Sequence, residues 1–531
     1  MAMAAWNFGR DVMDRWAAER PDAAALYVVA PDGSARTVSF RAFSETTGRL
    51  AGRLRAAGLR PGDRVLVVLG KDPGFWSTMV ALIKLGVVPM PGTTQLTAKD
   101  LRYRLEAAEA TGMIALAEVA ARVPEEVAGR LRLRWTVGGP PPAGWVAADL
   151  WPAEGPVDPG HPTDETDPCL IYFTSGTTGY PKMVLHQQSY PRGHRITGVE
   201  WIGLQPGDLH WNLSDTGWAK AAWSSLFGPW MAGATVLVDP LVGKFEARPM
   251  LDLLAAHPVT SLCAAPTVYR LVVQEDLARW RFPHLRSAVG AGEPLNPEVI
   301  EAFRRGTGLT IRDGYGQTET VLLVGNRPGM PVKPGAMGLP APGFDVDVID
   351  EEGRRLPPGR EGDIAVWLGD GRPEGLFVEY WKDPAETARR HRGGWYLTGD
   401  RAVRDEDGYL WFVGRADDVI ISAGYRIGPF EVESALVEHP AVVEAAVVSS
   451  PDPVRGAIVK AFVVLRPDVS PSAELVRALQ EHVRRVTAPY KYPRAIEFVS
   501  DLPKTISGKI RRVELREREW GGRPGAGPAT G

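Results

Sequence analysis

The sequence predicts a mixed α/β protein that ends in a smaller α+β module. Three observations carry this expectation. Short apolar runs bounded by Gly or Pro, such as residues 65–69, Thr235–Val238 and Ala288-Val289, alternate with longer amphipathic stretches at 40–57 and 297–305. Buried, largely parallel strands alternating with helices give that pattern. From about residue 340 the texture changes to apolar/polar alternation at 344–350, followed by the turn Glu351-Glu352-Gly353 and by further runs at 364–368 and 409–413. This reads as antiparallel β structure. Beyond Gly414 the order is helix (430–438), strand (444–449), strand (459–465), helix (472–486) and strand (495–499).

Each element then finds a place. Residues 1–414 form a large N-terminal domain of mixed sheets with helices, including a β-rich subdomain at about 340–414. Residues 415–520 form a small, mobile α+β C-terminal domain. The final stretch 521–531, rich in Gly, Pro and Ala without periodicity, is expected to be a disordered tail. A chain of 531 residues exceeds what one compact core organises, so at least two domains are required.

Composition excludes several classes. Hydrophobic residues at 44% and charged residues at 24% are those of an ordinary globular protein, and a net charge of -3 gives no field that would attract nucleic acid. Cys169 and Cys263 are the only cysteines, which argues against a disulfide framework or structural zinc. No apolar run approaches the ~20 residues of a membrane span, so no integral membrane association is expected. The same reading gives a cytoplasmic protein, and the 12 lysines among 61 basic residues suggest a bacterial origin. A homo-oligomer is compatible with all of this.

The chemistry is carried by motifs. The apolar run Leu170-Ile171-Tyr172-Phe173 leads into Thr174, Ser175, Gly176, Thr177, Thr178, Gly179, Tyr180, Pro181 and Lys182. Hydroxyls, glycines and backbone N–H groups concentrated there can converge on one anion. The G-x-x-x-x-G-K spacing of a Walker A loop is absent. Downstream follow Gly290-Ala291-Gly292-Glu293-Pro294, Asp313-Gly314-Tyr315-Gly316-Gln317-Thr318-Glu319, Tyr396-Leu397-Thr398-Gly399-Asp400, Gly414-Arg415-Ala416-Asp417-Asp418 and Leu502-Pro503-Lys504-Thr505-Ile506-Ser507-Gly508-Lys509.

In this order the strings resemble the adenylate-forming superfamily of acyl-CoA synthetases, luciferases and peptide-synthetase adenylation domains. The resemblance implies that ATP is held by Thr174 to Lys182, by Gly292 and Glu293 and Asp313 to Thr318 near the adenine and phosphates, and by Asp400, supported by Arg415, at the ribose. Thr318 and Glu319 are implied in catalysis, with Glu319 offering a hard carboxylate oxygen to Mg2+. Lys509 would touch the carboxylate and the α-phosphate and stabilise charge during attack. Asp417 occupies the superfamily's hinge position, which implies rotation of the C-terminal domain between two half-reactions.

Within the superfamily, Ser422 to Glu433, Ser449 to Gly456 and Thr487 to Arg494 most resemble medium-chain acyl-CoA synthetases of the butyrate-CoA ligase type. That likeness implies coenzyme A contacts at Gln95, Ala423, Gly424, Tyr425, Arg455, Arg484, Tyr492, Pro493 and Arg494. Arg485, adjacent to Arg484, competes for its role. The acyl chain is expected against Trp218, Val321, Leu322 and Arg426, although core packing explains a tryptophan equally well. The implied activity is ATP-dependent conversion of a short- to medium-chain, branched or aromatic carboxylic acid to its CoA thioester through acyl-AMP, releasing AMP and pyrophosphate. Two alternatives remain: an adenylating enzyme that delivers acyl-AMP to a carrier protein, and a nucleotide-binding relic without activity.

Overall fold

The computed structural model describes residues 5–174, 180–241, 243, 245–369, 371–422, 425–453, 455–504 and 509–521. The expected tail lies outside these beyond Gly521, as do Ser175 to Gly179, Ala423, Gly424 and Thr505 to Gly508.

A sheet of 14 strands runs through the large part of the molecule. Six of its strands are parallel, with Ile311–Tyr315, Ser287–Ala291, Ser261–Ala264, Leu209–Asn212, Thr235–Val238 and Ala24–Val29 side by side in that order. Strands such as Ser261–Ala264 and Thr235–Val238 are buried at every position. Covered on both faces, they appear in the sequence as continuous apolar runs rather than alternations. A further part is antiparallel and follows the order Ala336–Pro340, Leu410–Arg415, Trp395–Arg404, Glu361–Trp367 and Val346–Ile349. A two-residue strand, Val324–Gly325, pairs with both parts and joins them.

Helix Phe40–Ala56 shows how the local rules operate. The Ser39 hydroxyl oxygen accepts from the Ala42 N–H at 3.2 Å and caps the helix. Its buried face, Phe40, Phe43, Thr47, Leu50, Ala51 and Leu54, repeats at helical spacing. Each large apolar side chain buried there contributes about 1.5–3 kcal/mol. The chain reverses just beyond, at Gly58, whose φ of 92° favours glycine.

A second, five-stranded sheet is wholly parallel, in the order Val88–Pro91, Arg64–Val68, Gly112–Leu116, Leu133–Val137 and Val146–Ala147. Between the two sheets lies an antiparallel hairpin of Pro168–Thr174 and Lys182–Gln187, with Thr174 opposite Lys182. Alternate residues of this hairpin serve different cores. Leu170, Tyr172 and Val184 pack into the main core, whereas Ile171, Phe173, Met183 and Leu185 pack with the second sheet. The two strands are therefore anchored on both faces, at either end of the motif rich in Gly, Ser and Thr.

The C-terminal module has its own sheet, in which Val442–Asp452 pairs antiparallel with Gly456–Leu465, and that strand pairs parallel with Ala495–Phe498. Helices Pro429–Val437 and Ala473–Val486 share a core with it through Val432, Leu436, Val447, Ala461, Leu479 and Val483. Helix Arg512–Glu519 packs on the sheet through Leu515. Among the described residues no helix is long and apolar enough to cross a membrane.

Candidate active site

Sheet register builds the site around Asp400, the residue expected at the ribose. Asp400 stands opposite Arg415 on neighbouring antiparallel strands. Asp400 Oδ2 accepts from the Tyr315 hydroxyl at 2.6 Å and from Gln317 Nε2 at 2.7 Å. Gln317 is fixed in turn, donating to the Thr398 carbonyl at 3.0 Å and accepting from the Tyr396 hydroxyl at 3.2 Å. Burial raises the Asp400 pKa above the usual carboxylate value, while Arg415, Tyr315, Lys509 and Gln317 favour its ionised form. The result is a carboxylate held in one orientation, suited to accept hydroxyl protons.

The Asp313 to Glu319 string lies where packing tolerates no side chain at two of its positions. A Cβ at Gly314 would sit 2.5 Å from the Trp201 ring, and one at Gly316 would sit 2.3 Å from Trp223 and 2.5 Å from the Val321 carbonyl oxygen. Asp313 is buried, its Oδ1 accepting from the Gly314 N–H at 2.9 Å. Glu319 Oε1 accepts from the Tyr380 hydroxyl at 2.7 Å. The Thr318 carbonyl accepts from His186 Nε2 at 2.9 Å. Burial holds the His186 pKa down at about 3, so its ring is neutral near neutral pH and donates through this one nitrogen.

Glu293 lies across the cleft, fixed by Thr267 Oγ1 at 2.5 Å and by Arg270 at 3.0 Å. Burial works against its ionisation, but Arg270, Thr267 and Lys509 hold its pKa below the usual value. Lys220 donates to the Ala291 carbonyl at 2.8 Å beside it. Lys509 reaches this same space from the C-terminal module. It stays open to the solvent of the cleft, yet surrounding protein lowers its pKa, with Arg415 adding to the effect and Glu293, Asp400 and Glu319 opposing it. Its electrostatic neighbours are thus the acids that the motifs single out.

Of the stretch expected to hold the phosphates, the described residues are Thr174 and Tyr180 to Lys182. Tyr180 stacks on Tyr103 at 4.5 Å, and the Tyr103 hydroxyl donates to the Pro181 carbonyl at 2.8 Å. Lys182 pairs with Glu386 and lies 5.1 Å from the Tyr380 ring centre.

Of the residues tied to coenzyme A, three meet. Tyr492 lies between Arg484, 3.8 Å from its ring centre, and Arg494, at 4.8 Å and hydrogen-bonded to the hydroxyl at 2.7 Å. Arg485 instead turns to His482. Exposed Tyr425 stacks on Tyr490 at 4.3 Å. The Pro493 carbonyl accepts from Gln480. Arg455, Arg426 and Gln95 are exposed. Asp417 is also exposed, 3.4 Å from Arg415, on the link between the strands Leu410–Arg415 and Ile420–Ser422.

The expected acyl residues divide. Val321 and Leu322 are fully buried, and Trp218 is half-buried where the short helix Ala219–Ala221 begins. The tryptophan that closes on Gly316 is Trp223. Sequence reasoning passed over Trp223, His186, Tyr380, Arg270 and Glu386. The only available signal was polar or aromatic residues at positions that are otherwise apolar.

Comparison with known proteins agrees with this geometry. Residues 13–381 match the AMP-binding enzyme model, and residues 431–509 match the AMP-binding enzyme C-terminal domain. The chain belongs to the AMP-binding enzymes. It is 47% identical to the human mitochondrial acyl-coenzyme A synthetase ACSM3 over 97% of this chain and 90% of that protein. To the human mitochondrial synthetase ACSM4 it is 49% identical, over 98% and 91%. Among solved structures, the anthranilate CoA ligase AuaEII in complex with anthranoyl-AMP superposes with a TM-score of 0.89 at 30% identity, over 97% of this chain and 98% of that one. For this AMP-binding enzyme the mixed fold and the superfamily resemblance hold. The cytoplasmic, bacterial placement does not, because the relatives are named as mitochondrial enzymes of mammals. An arginine-rich composition and a lack of apolar runs carry no address, which is why that expectation failed.

Proposed function

We infer that this enzyme is an ATP-dependent acyl-CoA synthetase acting through acyl-AMP, with a short- to medium-chain, branched or aromatic acid as substrate. The observation that carries this is Lys509, brought into the same cleft as Glu293, Asp400 and Glu319. Synthetases among the relatives and a ligase holding an acyl-AMP among the similar structures support the same chemistry.

In the first half-reaction a carboxylate oxygen of the acid attacks the α-phosphorus, and the bond to pyrophosphate breaks. Asp400 orients the ribose, and Lys509 offsets the charge that gathers between carboxylate and phosphate. In the second, the coenzyme A thiol adds to the acyl carbonyl, AMP leaves with the electrons of the broken C–O bond, and the thiol proton passes to solvent. The second step needs access to the carbonyl that Lys509 faces. We therefore assign Asp417 as the hinge about which the C-terminal module turns, with the Arg484–Tyr492–Arg494 cluster as a dock for the phosphates of coenzyme A.

Mg2+ fits Glu319. Its Oε1 is held by Tyr380, and among the described residues no group of three His, Cys, Asp or Glu could hold an ion unaided. A carboxylate plus nucleotide phosphates is the ligand set that Mg2+ prefers. When bound, the ion offsets phosphate charge.

The test is a panel of straight, branched and aromatic acids assayed with ATP and coenzyme A. The expected result is AMP release that requires free coenzyme A and yields a thioester. AMP release that instead requires a carrier protein would replace this reading with the carrier-charging one.

A further inference from the structure

Where the C-terminal module meets the large part of the molecule, the charges form a chain. Arg270, on helix Pro266–Val272, donates to Glu293 Oε2 at 3.0 Å and to Thr267 Oγ1 at 2.8 Å. The same nitrogen lies 3.7 Å from Oε1 of Glu444, on the first strand of the C-terminal sheet. Glu444 Oε2 pairs with Lys504 at 2.8 Å, five residues before Lys509. All but Lys504 are nearly buried, the side chains of Arg270 and Glu444 being 12% and 11% exposed. Glu444 Oε1 is buried and accepts no hydrogen bond among the described residues. A cavity of about 30 Å3 lined by Arg270, Glu293, Glu433, Glu444 and Arg512 adjoins it. That space is large enough for a water to bridge the pair.

We propose that Arg270 is a positioning residue for adenylation: through Glu444 it docks the C-terminal module in the arrangement that presents Lys509, and it releases Glu444 when the module turns. This rests on the two-step reading above. Arg270 is suited to the task because Glu293 and Thr267 fix its guanidinium from the large part of the molecule, so that its charge stands ready beside Glu444 of the mobile module. Neither Arg270 nor Glu444 needs to touch substrate. Their pairing exists in only one of the two arrangements, so it acts on one half-reaction and opposes the other.

The experiment is a double-mutant cycle read on each half-reaction of the full chain. Acid-dependent ATP–pyrophosphate exchange uses the preferred acid of the panel, and thioester formation uses its synthetic adenylate with coenzyme A. Arg270→Gln and Glu444→Gln are each expected to slow exchange roughly tenfold, as close charge pairs at interfaces do. The double variant is expected to be no slower than Arg270→Gln alone, with thioester formation unchanged or faster in all three. Multiplicative losses in exchange, or equal losses in both half-reactions, would overturn the proposal. Should Arg270→Gln melt early, Glu444→Gln carries the test through the split alone, because it leaves the Arg270–Glu293 pair intact. Wild-type enzyme giving no exchange with any acid would sink the two-step reading itself, a different failure.

Discussion

The two ends of the cleft are built differently. At the end expected to hold the ribose, Asp400, Tyr315, Gln317 and Arg415 come from strands of one continuous sheet or from the residues beside it, with contacts of 2.6 and 2.7 Å. At the other end, Lys509 rides on a module with its own core. Polar contacts at that joint are looser: Asn296 to Ser434 at 3.0 Å and Arg270 to Glu444 at 3.7 Å. Glu298 also faces Glu438, a like charge. On the proposed reading, what must serve both half-reactions belongs in the continuous sheet, and what serves one belongs on the separate module.

Lys509→Ala should break this division most visibly. Exchange is expected to fall by roughly 10²–10³, the loss seen when one group aimed at developing charge is removed. Conversion of supplied acyl-AMP to thioester should stay within a few-fold. A parallel collapse of both half-reactions would mean that Lys509 belongs to the permanent site.

Asp400→Asn is the converse. An asparagine could turn its amide oxygen to Tyr315 and Gln317, but the negative charge and the second carboxylate oxygen as an acceptor would be gone. Loss of hydrogen bonds to an ionised group costs about 1.5–3 kcal/mol, so the KM for ATP should rise by roughly 10- to 100-fold. Acyl-AMP carries the same ribose, and thioester formation should weaken with it. Steady-state KM and the single-turnover thioester rate check both, and a variant impaired only in exchange would contradict the shared role.

Tyr380→Phe should act more mildly. It removes the hydroxyl that donates to Glu319 without emptying the core. Exchange should lose roughly tenfold, the worth of a hydrogen bond to a charged group, and the Mg2+ concentration needed for half-maximal exchange should rise. An unchanged Mg2+ requirement would separate Glu319 from the ion.

The contrast between the two ends also explains what the sequence could disclose. Thr235–Val238 and the helices near 40–56 and 473–486 were legible because their burial pattern is local. Asp400, Glu319 and Lys509 were legible because they sit in long ordered strings, and the structure brings them to one cleft. Val324–Gly325 was not, since two residues carry no periodicity, yet it joins the parallel and antiparallel parts. His186, Tyr380 and Arg270 were hidden for a related reason. Each acts on a residue far away in sequence, 132, 61 and 174 positions off for Thr318, Glu319 and Glu444, and a single polar residue within an apolar run does not disclose its partner.

The smallest expected effect concerns the joint itself and its dependence on pH. When the module is docked, burial first and the neighbouring Glu438 carboxylate second raise the Glu298 pKa to about 7. Glu438 also faces His482 Nε2 at 3.5 Å from helix Ala473–Val486. With the module turned away, Glu298 would lose the Glu438 carboxylate and move towards the ordinary carboxyl value of about 4.3. The docked state therefore binds this proton more tightly. Its advantage is complete below the undocked pKa and is lost as pH rises through about 7. Raising pH from 6 to 8 should shift the enzyme away from the adenylating arrangement, lowering exchange relative to thioester formation. Glu298→Gln keeps the shape but removes the titration, so its ratio of the two half-reactions should stay flat where the wild-type ratio falls several-fold. Both enzymes share the titration of the coenzyme A thiol, which cancels when their ratios are compared across pH. A variant whose ratio falls as steeply as the wild type would leave the joint without a proton-sensitive contact, and the looseness at the Lys509 end would then be a matter of distance alone.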